Sequence, residues 1–216
     1  MSPDMLILAA LCLPLLIAAG IAAAGRFPNV REGVTLVGSV ILLGVVIALG
    51  VAVSNGQTPY LDLGAAAPGL SFTFKLEPLG ALFALVASGL WIVNSFYSIG
   101  YMRGNRERNQ TRFYICFAFA IFGALGVAMS GNLFTLFVFY EVLTLSTYPL
   151  VAHKGDAAAK RGGRIYLLTL LGTSIGLFLT AVMWTWTLAG QNLDFVQGGL
   201  LAGLNISPAV STALLL

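Results

Sequence analysis

The sequence predicts an all-α polytopic membrane protein with six complete transmembrane helices, the start of a seventh, and a short external β-hairpin between the second and third helices. Composition is the first observation: 58% of the residues are hydrophobic, 9% are charged and the mean hydropathy is +0.92, which excludes a soluble domain with a polar surface. The second is a series of long apolar runs. The third is that basic residues concentrate in alternate loops between those runs.

Six apolar runs are long enough to cross a hydrocarbon core about 30 Å thick, for which roughly 20 helical residues are needed. They cover approximately residues 5–24, 34–53, 79–99, 113–130, 133–152 and 165–188, and a seventh run begins near Pro208. Because lipid offers no water to backbone amides, these runs are predicted to be α-helices.

The first run could also be read as a cleaved signal peptide, since small residues at 22–25 resemble a cleavage site. Its amino-terminal flank, however, carries Asp4 and no Lys or Arg, and the apolar stretch exceeds a signal peptide's usual core. We therefore expect this helix to be retained in the protein.

The loops divide the basic residues unequally. Ten of the eleven Lys and Arg residues follow the first, third or fifth run, and Lys75 alone lies on the other side. Since Lys and Arg in short loops stay cytoplasmic, the amino terminus is predicted to be extracytoplasmic. Adding or deleting one span between residues 113 and 152 would scatter the basic loops over both faces, so charge also supports the helix count.

The linker at residues 54–77 differs from the spans. Residues 70–76 alternate between apolar and polar side chains at period two, and Ala67-Pro68-Gly69 before them is typical of a turn. Together these two features predict the external β-hairpin. Pro78 suits the first turn of the third helix. Gly131 and Asn132 are predicted to form a tight external turn between the fourth and fifth helices.

The sequence predicts no cofactor and no metal site. It contains no Rossmann glycine pattern, cysteine cluster or paired histidine to hold nicotinamide, flavin, iron–sulfur or haem groups. Cys12 and Cys116 lie inside apolar runs and are predicted to be buried thiols. The net charge of +3 is explained by the topology of the loops, so nucleic-acid binding is not expected.

Glu141 stands alone inside an apolar run. It lies eight residues after Leu133, about 12 Å along a helix that rises 1.5 Å per residue, and therefore near the middle of the membrane. An acid there costs roughly 2.5 to 3.5 kcal/mol on insertion scales, so intramembrane acids are usually functional. Loss of water disfavours a charged carboxyl and a nearby cation favours it, so a group between those influences can carry a proton.

Four further residues are accessory candidates. Thr144 and Tyr148 lie on the same helix face as Glu141 and can form hydrogen bonds, although neither neutralises a charge. His153 and Lys154 end the fifth helix at the cytoplasmic interface, where they are either a proton entry or ordinary interfacial basic residues.

Two alternatives to proton chemistry concern helix packing. A permanently protonated Glu141 could act as interhelical hydrogen-bond glue, a role that polar side chains fill in membrane bundles. On the sixth helix, small and polar residues recur at helical spacing, and close helix packing explains this stripe more simply than a water path: Thr169, Gly172, Thr173 and Gly176.

The run from Asn132 to Val151, NLFTLFVFYEVLTLSTYPLV, resembles the fifth helix of the antiporter-like subunits. This family is shared by respiratory complex I, membrane-bound hydrogenases and Mrp-type cation/proton antiporters. LEPLG at residues 76–80 is similar to the family's entry to the third helix. The motif looks closest to that of the D-type Mrp subunits, although many members carry Trp where this chain has Tyr140.

In that family the fifth-helix glutamate is paired with a lysine on the seventh helix, and the pair passes protons at mid-membrane. This sequence stops at Leu216, before such a lysine, so we expect it to be the amino-terminal part of a longer subunit. Residues 1–112 are predicted to form a three-helix segment with the linker 54–77. Residues 113–216 would then begin the proton-translocating helical repeat.

The resemblance implies a proton-translocating subunit of a multi-subunit cation/proton antiporter or complex I-like assembly in a bacterial-type cytoplasmic membrane. Its expected partners are other subunits of the complex, the lipid bilayer, protons and a monovalent cation. We expect no redox step in this chain, which would be at most a non-redox subunit of an NADH:quinone oxidoreductase-like complex. The alternative is a structural scaffold subunit with Glu141 as glue.

Overall fold

Among the residues that the structure describes, six helices are long and apolar enough to cross a membrane. The computed structural model describes residues 2–67, 69–201, 204 and 207–215. The spans are α1 Pro3–Ala23, α2 Pro28–Ser54, α3 Pro78–Gly104, α4 Gln110–Ala128, α5 Leu133–Val151 and the continuous helix Ala157–Leu188. That last helix comprises α6 Ala157–Thr173, a π-helical turn Ser174–Leu179 and α7 Thr180–Leu188; α8 Pro208–Leu215 follows. The predicted fold class, with six spans and a further helix from Pro208, is confirmed.

Prolines and capping side chains explain where the helices start. The first three helices each have Pro in the first turn, where its fixed φ suits the helix and no amide hydrogen is needed. In α5 the side chain of Asn132 accepts a hydrogen bond from Thr135 N at 2.7 Å. Asp156 caps α6 in the same way, accepting from Ala159 N at 2.6 Å.

Two helices begin six or more residues earlier than the sequence predicts. Helix α2 starts at Pro28 rather than at residue 34, and α6 starts at Ala157 rather than at residue 165. Apolar runs alone misplace these starts because the first turns of both helices carry charged residues. A hydropathy profile assigns such residues to loops, but a helix accepts them where polar partners or solvent are available. The early turn of α2 therefore brings Arg31 and Glu32 into the helix.

Arg31 and Glu32 are both buried, with 4% of each residue exposed. Glu32 accepts from Arg31 at 3.2 Å and from Arg103 Nε of α3 at 3.1 Å, and a second Arg103 nitrogen contacts its other carboxylate oxygen. Arg31 also donates to Gln110 at 2.8 Å and stacks over the ring of Tyr114 at 5.1 Å. This ion cluster ties α2, α3 and α4 together at one end of the bundle.

The predicted hairpin between α2 and α3 is confirmed. Strands β1 Tyr60–Ala67 and β2 Leu70–Lys75 pair antiparallel, with two register shifts along the ladder. Of the predicted turn Ala67-Pro68-Gly69, Pro68 lies outside the described residues, and Gly69 adopts φ +74°, which favours glycine.

The hairpin packs on the turn between α4 and α5. Phe74 pairs with Ser130, and Asn132 pairs with Asp194 from the segment after α7. Asn132 also donates to Ser71 O at 2.8 Å. The predicted tight turn at Gly131 and Asn132 therefore lies in a short stretch of extended backbone, which covers this end of the bundle together with the hairpin.

The two ends of the bundle differ as the charge pattern predicts. At one end, Tyr60 N of the hairpin donates to Asp4 beside the start of α1, at 2.9 Å. At the other end, Arg112 donates to His153 O at 3.3 Å, linking the start of α4 to the end of α5. The basic loops therefore share one end, and the hairpin and the α4–α5 turn share the other.

Helices α4 and α5 form the tightest helix pair, and glycine allows it. A Cβ on Gly126 would lie 1.8 Å from Phe139 Cδ1, and one on Gly123 would lie 2.9 Å from the Leu143 backbone. Helix α4 also packs against α1 and α3.

The division of the chain into two parts at residue 112 stays a prediction. The prediction of two buried thiols is wrong for Cys12, which is exposed on α1, whereas Cys116 is half-buried.

Candidate functional site

Glu141 lies in the middle of α5, eight residues after Leu133 and ten before Val151. Its side chain is half-buried between neighbouring helices, and the Oε1 oxygen is fully enclosed. Among the described residues, no group forms a hydrogen bond with that oxygen. A buried carboxyl oxygen without a partner is unusual in folded proteins and marks a position that packing alone does not explain.

Glu32 provides the contrast within the same chain. Its carboxylate accepts from two arginines, so its negative charge is neutralised where it is buried. Glu141 has no such cation within the described part of the chain. Within the described residues, Glu32 therefore has two cationic partners and Glu141 has none.

The predicted neighbours of Glu141 have different surroundings. Thr144, one turn away, is buried with 3% of its surface exposed. Tyr148 packs on α6, where a Cβ on Gly163 would lie 3.1 Å from Tyr148 Cε2. Leu145 points outward and is 52% exposed. Thr144 therefore shares the interior with Glu141, whereas Tyr148 contributes mainly to the contact between α5 and α6.

Sequence reasoning missed a hydroxyl pair that lies between α5 and α6. Thr147 Oγ1 and Tyr166 Oη are 2.8 Å apart. Because the single Thr147 proton is donated to Thr144 O at 2.9 Å, Tyr166 is the donor in this pair. Spacing along α5 places Thr147 off the Glu141 face and cannot reveal a partner on another helix, so no sequence signal identified this pair.

The π-helical turn at Ser174–Leu179 lies beside Tyr140, the residue before Glu141. Phe178 contacts the rings of Phe137 at 5.6 Å and Tyr140 at 5.9 Å between centroids. A cleft of about 600 Å³ adjoins this contact and is lined in part by hydroxyl-bearing side chains: Tyr140, Thr173, Ser174 and Thr180. π-Helical turns recur at functional positions in helices.

The small and polar stripe of the sixth helix does not pack closely against another described helix. Cβ atoms built on Gly172 and Gly176 would meet nothing within 4 Å, and Thr169 and Thr173 are exposed. The prediction of close packing is therefore wrong within the described chain. Helical periodicity placed these residues on one face correctly, but it could not show that the α5 contact lies on a different face.

His153 and Lys154 lie at the other end of α5, away from Glu141. Ten residues of helix separate Glu141 from Val151, about 15 Å at 1.5 Å per residue. Both ring nitrogens of His153 are enclosed without a hydrogen-bond partner in the described ranges. Burial and then Arg112 lower the pKa of His153 below its ordinary 6.5, and Glu107 opposes them. His153 and Lys154 line a polar cavity of about 540 Å³.

The structure therefore brings together Glu141 and Thr144, and it leaves His153 and Lys154 in a separate place. No cluster of three or more metal-ligating side chains occurs in the residues that the structure describes.

Comparison with known proteins gives three kinds of match. The family model described as NADH-ubiquinone oxidoreductase (complex I), chain 5 N-terminus, matches residues 65–114. A putative antiporter subunit mnhA2 of Staphylococcus haemolyticus is 29% identical over 126 residues, or 57% of this chain. NADH-quinone oxidoreductase subunit N of Desulforudis audaxviator is 33% identical over 149 residues, or 68% of this chain.

These matches make the chain similar to antiporter-like membrane subunits. Two solved structures share its fold: the membrane-bound sulfane sulfur reductase, an archaeal respiratory membrane complex, with a TM-score of 0.80 at 21% identity, and the Mrp complex from Dietzia sp., with 0.76 at 18%. They cover 97% and 96% of this chain, and this chain covers 42% and 22% of them.

This antiporter-like chain spans only part of its relatives. It covers 15% of the mnhA2 protein and 29% of the Desulforudis oxidoreductase protein. Neither of these two relatives is named as a D-type Mrp protein, so the resemblance to that type stays a prediction. The roles of Glu141, Thr144, Tyr148, His153 and Lys154 likewise stay predictions.

Proposed function

We propose that this chain is a proton-translocating subunit of a multi-subunit membrane assembly of the cation/proton antiporter or complex I type. Glu141 is the group that takes up and releases the proton. The observation that carries this proposal is the enclosed Glu141 Oε1, which has no hydrogen-bond partner among the described residues. An arginine beside a carboxylate favours its charged form, and no arginine or lysine bonds to Glu141 within the described residues.

The proton needs access to Glu141 from both sides. Thr144, buried one turn away, and the Thr147–Tyr166 hydroxyl pair lie on the side of Glu141 that leads to the basic loops. His153 and Lys154 lie further in the same direction, at the bundle end. These groups support an access route for protons between α5 and α6, in which each of them is a positioning or accessory group.

The proposed setting follows from the charges. With the basic loops cytoplasmic, the amino terminus and the hairpin are extracytoplasmic, and the membrane is of the bacterial cytoplasmic type. Other membrane subunits are the proposed partners, and a monovalent cation is the proposed counter-transported ion. Both come from what the relatives are named for: Na(+)/H(+) antiporter and NADH-quinone oxidoreductase subunits.

The scaffold function remains the competing proposal, with Glu141 as interhelical glue. To join two helices in this way, the Glu141 carboxyl group requires a hydrogen-bond partner on a neighbouring helix. Within the described ranges Oε1 has none, so this function would need a partner from another part of the assembly. Substitution of Glu141 separates the two functions, because glutamine can act as glue but cannot carry a proton.

The test uses Glu141→Gln and Glu141→Ala in the intact assembly. Proton-coupled transport is measured with a pH-sensitive dye in sealed vesicles, and assembly is measured by native gel electrophoresis. We expect both variants to assemble and to lose transport by roughly a hundredfold or more, the usual contribution of a positioned proton-transfer group.

Glu77→Gln is the matched control, since Glu77 is an exposed acid at the hairpin end, paired with Lys75 at 2.9 Å. It should transport normally. Full transport by Glu141→Gln would overturn the proton-carrier function. Loss of assembly in Glu141→Ala together with normal assembly and transport in Glu141→Gln would establish the scaffold function instead.

A further inference from the structure

The cavity beside His153, at the bundle end where the proposed access route begins, is a candidate ligand site. It lies between the loop joining α3 to α4 and the loop joining α5 to α6. Its volume is about 540 Å³, and its lining is mostly polar, with six ionisable side chains: Arg106, Glu107, Arg108, His153, Lys154 and Asp156.

The charge of this cavity is positive and only partly compensated. Among the described residues, Arg106, Arg108 and Lys154 form no salt bridge. Of the two carboxylates, Asp156 is engaged as the cap of α6. Three cations therefore line the cavity against the two carboxylates Glu107 and Asp156, and Arg112 adds a fourth cation at its edge through its bond to His153 O.

A histidine in the wall of the cavity also lacks hydrogen-bond partners. Both ring nitrogens of His153 are enclosed and unbonded within the described part of the chain. A neutral imidazole has one N–H donor, and a protonated one has two. The loop backbone is held in unusual conformations beside it, with φ +50° at Arg106 and +56° at Asn109, which are uncommon for residues other than glycine.

The cavity lies at the depth of lipid headgroups. Helix α3 ends at Gly104 and α5 ends at Val151, so both loops start where the apolar spans stop. Tyr97 and Tyr101 stack at 6.0 Å on the exposed face of the last turns of α3, the position of an interfacial aromatic belt. Basic pockets between membrane helices at this depth bind anionic lipid headgroups.

We propose that the cavity beside His153 binds the phosphate group of an anionic phospholipid. The guanidinium groups of Arg106 and Arg108 present the planar donor pairs that suit phosphate oxygens, and Lys154 adds a point charge. The inference does not depend on which face of the membrane is cytoplasmic, nor on proton transport by Glu141.

The experiment measures lipid retention by the protein purified in its own assembly. The assembly is placed in phosphatidylcholine nanodiscs containing a small fraction of phosphatidylglycerol, and retained lipid is quantified by native mass spectrometry. The cavity variant is the double substitution Arg106→Gln with Arg108→Gln. The matched control is Lys160→Gln with Arg161→Gln, which removes the same charge from exposed positions of α6 outside the cavity lining.

We expect the cavity variant to weaken phosphatidylglycerol retention roughly tenfold and the control to change it less than about twofold. A second readout is the titration of His153 by NMR. Phosphatidylglycerol should raise its pKa relative to phosphatidylcholine, and the cavity variant should lose this rise beyond the general surface-charge effect that the control variant retains.

Three outcomes would overturn the proposal. Equal loss of lipid in the two double variants would show a general charge effect. Displacement of the lipid by excess inorganic phosphate, with saturable phosphate binding in its absence, would assign the cavity to free phosphate. Loss of a partner subunit from the cavity variant with unchanged lipid retention would assign it to an acidic protein segment.

Discussion

The hydroxyl groups of Thr147 in α5 and Tyr166 in α6 lie 2.8 Å apart, and this bond joins the glutamate-bearing helix to its neighbour. Thr147 is six residues after Glu141, about 9 Å along the helix. Few other polar contacts link these two helices in the described chain. The position of α6 beside Glu141 therefore depends in part on this pair.

Removal of either hydroxyl should loosen that contact. Tyr166→Phe and Thr147→Val should each lower the free energy of unfolding by about 0.5 to 1.5 kcal/mol, the net worth of one hydrogen bond. Because both substitutions remove the same bond, the double variant should cost less than the sum of the two. The measurement is a double-mutant cycle on thermal unfolding in detergent.

Thr187→Val is the control for that cycle, since Thr187 is exposed in α7 and bonds only to Trp184 O within the described contacts. It should show no coupling to Tyr166→Phe. Strict additivity between Thr147→Val and Tyr166→Phe would contradict the inferred contact.

Gly126 in α4 should not tolerate even alanine. The added Cβ would lie 1.8 Å from Phe139 Cδ1, which forces α4 and α5 apart at the tightest point of the bundle. We expect Gly126→Ala to lower the free energy of unfolding by about 1 to 3 kcal/mol. Phe139→Leu in the same chain should restore part of this loss.

Gly89→Ala is the comparison for Gly126, because a Cβ on Gly89 of α3 would meet nothing within 4 Å. That substitution should be neutral or should stabilise the helix by up to about 1 kcal/mol. Similar destabilisation by both alanines, measured by unfolding in the same detergent, would show that the α4–α5 contact is looser than described.

The glycines show what the sequence could and could not predict. Gly172 and Gly176 carry the small-xxx-small spacing, yet a Cβ on either would meet nothing within 4 Å, whereas Gly123 and Gly126 make the close contact. Periodicity identifies a face of a helix, but the identity of the opposing helix depends on contacts distant in the chain. The six spans and the isolated position of Glu141 were predictable because the bilayer imposes both length and polarity on each helix.

The helix starts were less predictable for a related reason. Arg31 and Glu32 read as loop residues by hydropathy, yet they lie in α2 because Arg103 and Gln110 complete their bonding from 71 and 79 residues away. Charged residues are assigned to loops on the assumption that each must reach water. A compensated cluster removes that need, and only the folded structure reveals the compensation.

Loss of the Glu32 charge should therefore lower the free energy of unfolding. In Glu32→Gln the buried Arg31 loses its anionic partner, and an uncompensated buried cation costs about 3 kcal/mol or more. Thermal unfolding should show this as a large fall in stability. The exposed pair Lys75–Glu77, joined at 2.9 Å, serves as the comparison.

Glu77→Gln should change the free energy of unfolding by less than about 1 kcal/mol, because exposed ion pairs contribute little. A Glu32→Gln protein as stable as Glu77→Gln would mean that Gln110 and Thr111 alone satisfy Arg31. Both bond to Arg31 in the described structure, at 2.8 Å and 3.2 Å. That outcome would show that the stability of the cluster does not depend on the Glu32 charge.

His153 gives the final prediction, and it is simple to observe because the chain has a single histidine. Burial and then Arg112 lower its pKa below 6.5, against the opposing effect of Glu107. In phosphatidylcholine, the NMR titration of His153 should therefore have its midpoint below 6.5. Arg112→Gln should move that midpoint upward, whereas Arg161→Gln, at an exposed position of α6, should leave it unchanged.

The same shift has a consequence for stability with a definite sign. A histidine with a lowered pKa in the folded state binds fewer protons there than in the unfolded chain, so acid favours unfolding. The stability associated with neutral His153 is complete above pH 6.5 and is lost as the pH falls from 6.5 through the lower folded pKa. His153→Gln should remove this part of the acid sensitivity of unfolding. An unchanged pH dependence in that variant would show that other groups cause the acid sensitivity and would leave His153 without a measurable role.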